Sequence, residues 1–459
     1  MLAGIDRTPL VGRQRELALL HERLLLAQQG SGGAVVLAGE AGIGKSRLIA
    51  EAKAAATAAG FLILQGSCFE PDRALPYAPI VDLLRSLQPR GAVSEPNPLL
   101  AGAAPQLLDL LPELARHGPE TAAAVSAEPD QERRRLVQAI VAFLLGCAAA
   151  QPLLLVFEDL HWSDDATLEF LRAFTRRLAD APVLVLLSYR SDEAHEALGH
   201  LLAELERARL SIELSLSRLA PPEVDAMLRA IFAQNQPIRR EFLDAVYGLT
   251  EGNPFFIEEV LKALVAAGDI FRVGDAWDRR PLGELRIPRT VQDAVRRRTR
   301  DLSAAARRVL MIGAVAGQRF DFPLLQTVTG HGEPELLDLI KELIAVQLVV
   351  EESADRFSFR HALTRQAVLS ELLTRERRAL HREIAEALEQ LSASTAAELY
   401  LADLAYHCHA GGIWPQALDY ARRAGERAHA MYAPRAAAEH FTRALDATEA
   451  LALPPPPDL

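Results

Sequence analysis

Residues 39–47 carry the most distinctive combination of side-chain types in this sequence. Three glycines, a lysine and a serine have the spacing G-x-x-x-x-G-K-[ST], in which backbone N–H groups surround phosphates, the ammonium reaches the β- and γ-phosphates and the hydroxyl binds Mg²⁺. The chain has only four lysines among 50 basic residues, and a compact ammonium fits such a ring where a planar guanidinium would not. The motif predicts a nucleotide-binding loop made by Gly39, Glu40, Ala41, Gly42, Ile43, Gly44, Lys45, Ser46 and Arg47.

Two adjacent carboxylates, Glu158 and Asp159, follow an apolar run at residues 152–157. Acidic side chains at the carboxyl end of a buried strand, beside a phosphate loop, are placed to hold Mg²⁺ and to polarise a water. We therefore predict that Ser46, Glu158 and Asp159 bind magnesium and that the two carboxylates are catalytic. Taken alone, the same pattern also fits a strand that ends in solvated acids.

Arg190 follows a further apolar run at residues 183–188. An arginine that leaves the carboxyl end of a central strand can contact a γ-phosphate and so report whether that phosphate is present. We predict this catalytic and sensing role for Arg190. A surface arginine is the alternative.

The apolar runs around these residues predict the framework that positions them. Five parallel strands with intervening helices form a doubly wound α/β sheet, which binds its ligand at the strand carboxyl ends. A strand between the loop and the acidic pair favours the P-loop subclass with an additional strand there. A helix over residues 131–148 is expected to be capped by Asp130, after an irregular insertion over residues 89–129. The predicted strands are residues 34–38, 61–65, 153–157, 183–188 and 210–214.

Length and composition exclude several classes of protein. The 459 residues suffice for two to four domains, and no segment resembles a transmembrane span or a signal peptide. The three cysteines lack metal-binding spacing and are typical of buried thiols in a cytosolic protein. A net charge of −11 argues against a molecule coated by nucleic acid. We expect a cytoplasmic protein that does not contact membranes.

Five motifs occur together in one order, and they carry a family resemblance. The chain resembles the STAND class of signal-transducing P-loop ATPases, which are related to AAA+ proteins. Within that class it is similar to the AAA-type ATPase module of large bacterial LuxR-type transcriptional regulators, an origin-recognition-like domain. The resemblance covers nearly the whole chain. The motifs are PLVGRQREL at residues 9–17, GEAGIGKSRL at 39–48, LLLVFEDLHWSD at 153–164, LLSYR at 186–190 and GNPFFIEEVL at 252–261.

The resemblance implies ATP or ADP with Mg²⁺ as cofactors, and it implies further nucleotide-binding residues. Val11, Gly12 and Arg13 would lie at the adenine side, and Pro254 would pack on the base. The stretch at residues 252–256 equally fits a plain loop before a helix whose phenylalanines enter the core. Glu158 stands where many relatives have aspartate, so which carboxylate binds the metal stays open.

His361 is the histidine for which the resemblance implies a role. In relatives the corresponding residue touches the β-phosphate of ADP and locks a resting state. The family's usual Met-His-Asp is Arg-His-Ala at residues 360–362 of this chain. A helix-start histidine without a ligand is the alternative.

The chain is predicted to form four domains. After the nucleotide-binding domain and a helical lid with a hairpin, short helices and two extended runs, residues 346–351 and 356–359, favour a winged helix. Small residues at helical spacing over 416–428 and 436–450 then favour the start of a tetratricopeptide-like array. Such arrays normally need about three repeats. We therefore expect either part of a longer regulator or a short natural form whose last helices dock on the winged helix. The predicted boundaries are 1–215, 216–285, 286–390 and 391–459.

Two functions fit these features. The first is a signal-transduction switch that hydrolyses ATP slowly and regulates transcription through a missing or separate output domain. A signal ligand or protein on the array would shift the ATP and ADP states, and self-oligomers would form in the ATP state. The alternative is an origin-recognition-like ATPase that binds DNA through its winged helix. Nine arginines against three aspartates in residues 286–325 favour it, although a solvated helix face explains Arg296, Arg297 and Arg300.

Overall fold

The structure is a computed structural model, and it describes residues 10–69, 75–87, 107, 129–234, 236–273, 276–280, 299, 302–394, 400–431 and 433–452. Several predicted features lie outside these residues. They are the insertion over 89–128 apart from residue 107, the hairpin turn at Gly274 and Asp275, the arginines Arg296, Arg297 and Arg300, and the end of the chain after residue 452.

A five-stranded parallel sheet forms the N-terminal part of the chain, as predicted. Its strand order is β2-β3-β4-β1-β5, and every neighbouring pair is parallel. The additional strand between the loop strand and the acidic strand is β4, whereas β2 lies at an edge of the sheet. The strands are β1 (Gly33–Ala38), β2 (Leu62–Ser67), β3 (Leu153–Glu158), β4 (Val183–Tyr189) and β5 (Ser211–Ser215).

Helices cover both faces of this sheet because successive residues of the central strands, which point to opposite faces, are apolar. Val35 and Leu37 of β1 belong to one core, while Val36 belongs to the core on the opposite face. The helix after the insertion begins at Pro129, so Asp130 lies inside its first turn and does not cap it. Proline is favoured at a first helical position. The helices are α1 (Gln14–Gln28), α2 (Lys45–Ala58), α3 (Ala78–Arg85), α4 (Pro129–Ala150), α5 (Asp165–Thr175) and α6 (Glu196–Arg207).

Three helices and a hairpin follow the sheet and enclose a core of their own. We call the three helices, residues 221–266, the helical segment. Leu228, Ile257 and Leu261 lie at the centre of its core. The elements are α7 (Pro221–Phe232), α8 (Arg240–Thr250), α9 (Pro254–Ala266), β6 (Ile270–Val273) and β7 (Ala276–Arg279).

Residues 302–361 combine three helices with a three-stranded antiparallel sheet, and we call them the mixed module. The sheet order is β8-β10-β9, and its short strand β8 was not predicted. The first predicted extended run begins three residues late, because α12 continues to Ala345 and Gln347 has a left-handed conformation with φ 65°. The elements are α10 (Ala304–Ala316), β8 (Arg319–Asp321), α11 (Phe322–Thr329), α12 (Glu333–Ala345), β9 (Val349–Ser353) and β10 (Arg356–Phe359).

The remaining described residues are helical. Leu380, Ile384 and Leu388 of α14 join the core of the mixed module, so the helices dock on it. A Cβ added at Gly425 would lie 2.6 Å from the Phe441 ring, which shows how closely α16 and α17 pack. None of the described helices is long and apolar enough to cross a membrane. The helices are α13 (Ala362–Glu371), α14 (Thr374–Ser394), α15 (Leu401–Gly411), α16 (Trp414–Ala430) and α17 (Pro434–Ala450).

Candidate nucleotide site

The predicted phosphate loop lies between β1 and α2 and is wrapped around its own lysine. The Lys45 ammonium donates hydrogen bonds to the carbonyl oxygens of Gly39, at 2.8 Å, and Glu40, at 2.9 Å. Gly42 and Gly44 have φ of 76° and 106°, which a side chain would oppose. Lys45 also begins α2, whose free N–H groups favour an anion. Burial lowers the pKa of Lys45, and the Asp159 carboxylate opposes that shift.

Glu158, at the end of β3, is joined directly to the loop. Its carboxylate accepts a hydrogen bond from the Ser46 hydroxyl and another from Gln65 Nε2, at 2.7 Å. Gln65 in turn accepts a hydrogen bond from the Lys53 ammonium, at 2.6 Å. Burial raises the pKa of Glu158, the Ser46 hydrogen bond opposes this shift, and the Asp159 charge adds to it. The structure therefore places Glu158 beside the predicted magnesium-binding hydroxyl.

Asp159 faces the cations of the site. It has a left-handed backbone conformation, φ 59°, and its N–H donates to Ser188 Oγ at 3.2 Å. Burial raises the pKa of Asp159, while the charges of Arg190 and Lys45 lower it. Two crowded carboxylates next to a hydroxyl supply the oxygen ligands that Mg²⁺ prefers. The residues present thus fit a magnesium ion, which would offset the burial and repulsion of the two carboxylates.

Arg190 is buried and held on two sides. One guanidinium nitrogen donates to Glu193 Oε1 at 2.6 Å, and the guanidinium carbon lies 4.8 Å from the centre of the Trp162 ring. The backbone N–H of Arg190 donates to His161 Nδ1 at 3.4 Å. This geometry fixes the guanidinium near Asp159 and Lys45, whose pKa values it lowers.

No role was predicted from the sequence for three residues around Arg190, which are His161, Trp162 and Glu193. Burial, reinforced by the Arg190 charge, lowers the pKa of His161 to about 3, so its ring is neutral. Since Nδ1 accepts a hydrogen bond, the ring proton lies on Nε2, which is 3.5 Å from the Glu193 carboxylate. The signal available in the sequence was the LHW that follows the acidic pair.

The N-terminal motif lies between the loop and the helical segment. The Arg13 guanidinium donates to the carbonyl oxygen of Ile43, in the loop, at 3.4 Å and also to that of Ser217. Gly12 has φ 71°, and a Cβ there would lie 2.6 Å from Glu223 Oε1. Val11 packs on the core of the helical segment. The structure therefore brings all three residues to the predicted nucleotide-binding part of the fold.

The GNPF motif binds the phosphate loop directly. The Asn253 amide donates to the carbonyl oxygen of Ala41 at 3.0 Å, and the Phe255 N–H donates to that of Gly42 at 3.3 Å. Asn253 also caps α9 by accepting from the Phe255 N–H, at 3.1 Å. Pro254 occupies the first position of that helix. The sequence identified the motif, but it did not show that Asn253 is the residue in contact.

His361 reaches the same place from the mixed module. It begins α13, directly after β10, and its half-buried ring lies edge-on to Phe255 with 4.4 Å between ring centres. His361 thus touches the residue whose N–H donates to the loop. Phe255 is therefore the point at which the helical segment contacts both the mixed module and the phosphate loop.

Arg319, on β8, makes a second contact between the mixed module and the sheet. Its guanidinium lies 3.3 Å from an Asp82 carboxylate oxygen and 3.4 Å from Ser67 Oγ. Ser67 pairs with Glu158 in the β2–β3 register, and the Arg319 charge lowers the pKa of Glu158. Sequence reasoning missed Arg319 because the short strand that positions it lacks a periodic pattern.

The fold and the loop define a P-loop NTPase-like protein, and residues 9–186 match the AAA ATPase domain family. An uncharacterized protein of Rhizobium meliloti (strain 1021) is 24% identical over 469 residues, covering 96% of this chain and 44% of the relative. Among solved structures, a Signal Transduction ATPase with Numerous Domains (STAND) protein with a tetratricopeptide repeat sensor, from Pyrococcus horikoshii, has a TM-score of 0.53 at 15% identity. That alignment covers 96% of this chain and 54% of the other. The Aeropyrum pernix ORC1 protein in complex with DNA has a TM-score of 0.38 at 16% identity, with coverages of 79% and 93%.

The family match and the STAND structure bear on nucleotide binding and on the fold, respectively. The match over residues 9–186 implies nucleotide binding, at the part of the fold that contains the loop. The STAND structure shares the fold of this chain. The chain spans about half the length of that structure and less than half of the Rhizobium relative.

Proposed function

We propose that this protein is an ATP-binding signal-transduction switch that hydrolyses ATP slowly. The observation that carries the proposal is the shared contact around Phe255. Two loop carbonyls are bound by the start of α9, and His361 of the following module lies on the same phenylalanine. A change in the occupant of the loop would therefore alter the packing of both.

ATP or ADP with Mg²⁺ would occupy the loop through residues that already converge there. Lys45 and the N–H groups at the start of α2 would hold the phosphates, and Ser46 with Glu158 would hold the metal. Mg²⁺, when bound, neutralises charge on the phosphate oxygens. The charges of Arg190 and Lys45 act on Asp159, which suits a group that orients water. Arg190 would sense the γ-phosphate by releasing the Glu193 carboxylate and binding the phosphate instead.

The helical segment would act as the lid, and the mixed module as a winged helix. The module's order of helix, strand, two helices and two strands is typical of a winged helix. Domain boundaries at 215, 285 and 390 are part of this proposal. A lid that contacts the loop and a winged helix that contacts the lid at Phe255 can form two packing arrangements, one for each nucleotide. A nucleotide that binds the two arrangements with different affinity shifts the balance between them.

The winged helix supports the switch better than the DNA-binding alternative. Its edge strand β8 directs Arg319 at Asp82 and Ser67 of the nucleotide-binding part. The β8 edge of the three-stranded sheet is thus occupied by a contact within the protein. Salt-dependent binding of this chain to duplex DNA would reverse the ranking.

The proposed switch also needs an output domain and a part of the chain that receives the signal. By its resemblance to LuxR-type regulators, the protein would regulate transcription through an output domain, with the C-terminal helices as the start of a sensor array. Self-oligomers would form in the ATP state. The contact of Arg435 on α17 with Asp165 on α5, at 3.3 Å, gives the array a direct route to the nucleotide-binding part.

A thermal-shift series tests nucleotide binding. ATP with Mg²⁺ at about 100 times Kd should add roughly 2.7 kcal/mol of stability to the parent. Lys45→Ala should show no shift, because the ammonium inside the loop is lost. Lys341→Ala is the matched control, since Lys341 is exposed on α12 and pairs only locally with Asp338 at 3.0 Å. A parent protein that does not respond to ATP or ADP would refute the proposal.

A further inference from the structure

A cavity of about 710 Å³ lies where the three parts of the chain meet, away from the phosphate loop. Its walls come from the α3 region beside the sheet, from the mixed module and from the C-terminal helices. Leu324, Leu388 and Leu391 supply apolar surface, and Asp403 and His407 of α15 supply polar atoms. The volume lies within the range of small-molecule sites, about 300–1,000 Å³.

Most charges on the cavity wall are already neutralised within the protein. Arg319 pairs with Asp82 at 3.3 Å, and Arg356 pairs with Asp321 at 3.1 Å. Arg85 and Arg427 also line the cavity, and each has an interaction of its own. The arginines are therefore poor candidates for binding an anionic ligand.

Asp403 differs from these paired groups, and Asp355, a further carboxylate of the cavity wall without a described side-chain partner, is exposed. Among the described residues Asp403 has neither a hydrogen bond nor an ion pair, and the one charge that acts appreciably on it is another carboxylate, Asp321. His407, one turn further along α15, is neutral because burial lowers its pKa well below the usual value. Its Nδ1 lies 3.0 Å from Nδ1 of His381, so that nitrogen faces its partner histidine. The cavity wall thus contains a half-buried carboxylate that is paired with no cation among the described residues.

We propose that this cavity binds a small organic cation, a protonated amine on an apolar body, with Asp403 as its counter-charge. A buried carboxylate is costly unless it is paired, and an ammonium group in the cavity would supply the pairing. The leucines would cover the apolar body of the ligand. The proposal does not depend on the nucleotide site, because none of the loop residues lines the cavity.

Calorimetric titration of the nucleotide-free chain with three matched probes tests the charge preference. Tryptamine, tryptophol and indole-3-acetate share an indole body and carry a positive, a zero and a negative charge. Tryptamine should bind at least about tenfold more tightly than tryptophol, a difference of about 1.4 kcal/mol, and indole-3-acetate should bind most weakly. Asp403→Asn should reduce the affinity for tryptamine to that for tryptophol.

The control is Asp419→Asn, which removes an exposed carboxylate from the neighbouring helix α16 and should leave all three affinities unchanged. Folding of Asp403→Asn is not at risk, because the change removes an uncompensated charge and keeps the shape. The inference is overturned if tryptamine does not bind, if the three probes bind equally, if the anion binds best, or if Asp403→Asn retains the parent affinity. Failure of nucleotide binding would leave these results unaffected, so the two proposals fail separately.

Discussion

Glu158 and Asp159 are adjacent in sequence, yet their neighbours differ. Glu158 shares a hydrogen bond with Ser46, whereas Asp159 is under the influence of Arg190 and Lys45. The sequence left open which of them holds the metal. The neighbours favour Glu158 for the metal and Asp159 for the water, although the glutamate is one methylene longer than the aspartate of many relatives.

Asp159→Asn should therefore lower turnover more than it lowers ATP affinity, because the amide keeps the size of the side chain but cannot accept a proton. Turnover of the isolated parent chain should stay below about 10 s⁻¹, because an arginine supplied by a second molecule is worth about 10³ to 10⁵ in rate where it acts. Steady-state kinetics with separate Kd measurements will check both values. Asp180→Asn, an exposed position before β4, is the control. Equal losses in turnover and affinity would contradict the assignment.

At the scale of elements, the start of α9 links the helical segment to the loop. One Asn253 side chain both caps this helix and binds Ala41. The cap determines where the helix begins, and the amide nitrogen determines how the helix lies on the loop. A conformational change of the loop would thus shift α9 as a rigid element.

Asn253→Ser separates these two roles, since serine is also a good cap but cannot reach Ala41. The variant should keep its helix content and release ADP about 2- to 12-fold faster, the equivalent of one hydrogen bond worth about 0.5–1.5 kcal/mol. Ser303→Ala, which removes the cap of α10 away from the loop, is the control and should leave the ADP release rate unchanged. Stopped-flow release of a fluorescent ADP analogue measures the rate. An unchanged rate in Asn253→Ser would show that the contact with Ala41 does not stabilise the ADP-bound state.

Much of the architecture could be predicted because it depends on local pattern. Three of the five strands are nearly continuous apolar runs, which end at Ala38, Glu158 and Tyr189, and the loop is a fixed motif. Strand β8 was missed because three residues do not make a pattern. The contacts of Asn253 and Arg319 could not be predicted, because each joins residues more than 200 positions apart. The roles of the individual site residues stay predictions.

At the scale of the whole molecule, the C-terminal helices close back toward the sheet. Arg435 on α17 contacts Asp165 on α5, and the cavity lies between these parts. The sheet with its helices, the mixed module and the C-terminal helices are therefore in contact with one another. A change at one of them has a physical route to the others.

The cavity carboxylate should make stability depend on pH. Burial and the Asp321 charge raise the pKa of Asp403 to about 6 in the folded chain, from 3.8. The contribution of Asp403 is most favourable below pH 3.8 and is lost as pH rises through 6, because the unfolded chain releases the proton more readily. The neighbouring Tyr400 is neutral in this pH range, because burial and the charges of Asp321 and Asp403 raise its pKa.

Asp403→Asn should consequently unfold about 1–4 °C above the parent at pH 7.5, and the difference should shrink toward pH 4.5. Differential scanning calorimetry at both values checks this. Asp419→Asn should show no such dependence. A variant less stable than the parent at pH 7.5 would mean that the Asp403 carboxylate has a stabilising partner.

The central claim is that the winged helix reads the nucleotide through His361, and the ADP release rate tests it most directly. His361→Ala should release ADP roughly ten- to a hundredfold faster, the equivalent of one hydrogen bond to a charged group at about 1.5–3 kcal/mol, with little change in fold. His331→Ala, a half-exposed histidine of the same module that pairs with Glu335 at 3.0 Å, should release ADP at the parent rate. A His361→Ala variant that also keeps the parent rate would contradict the account and leave His361 as a residue that only starts a helix.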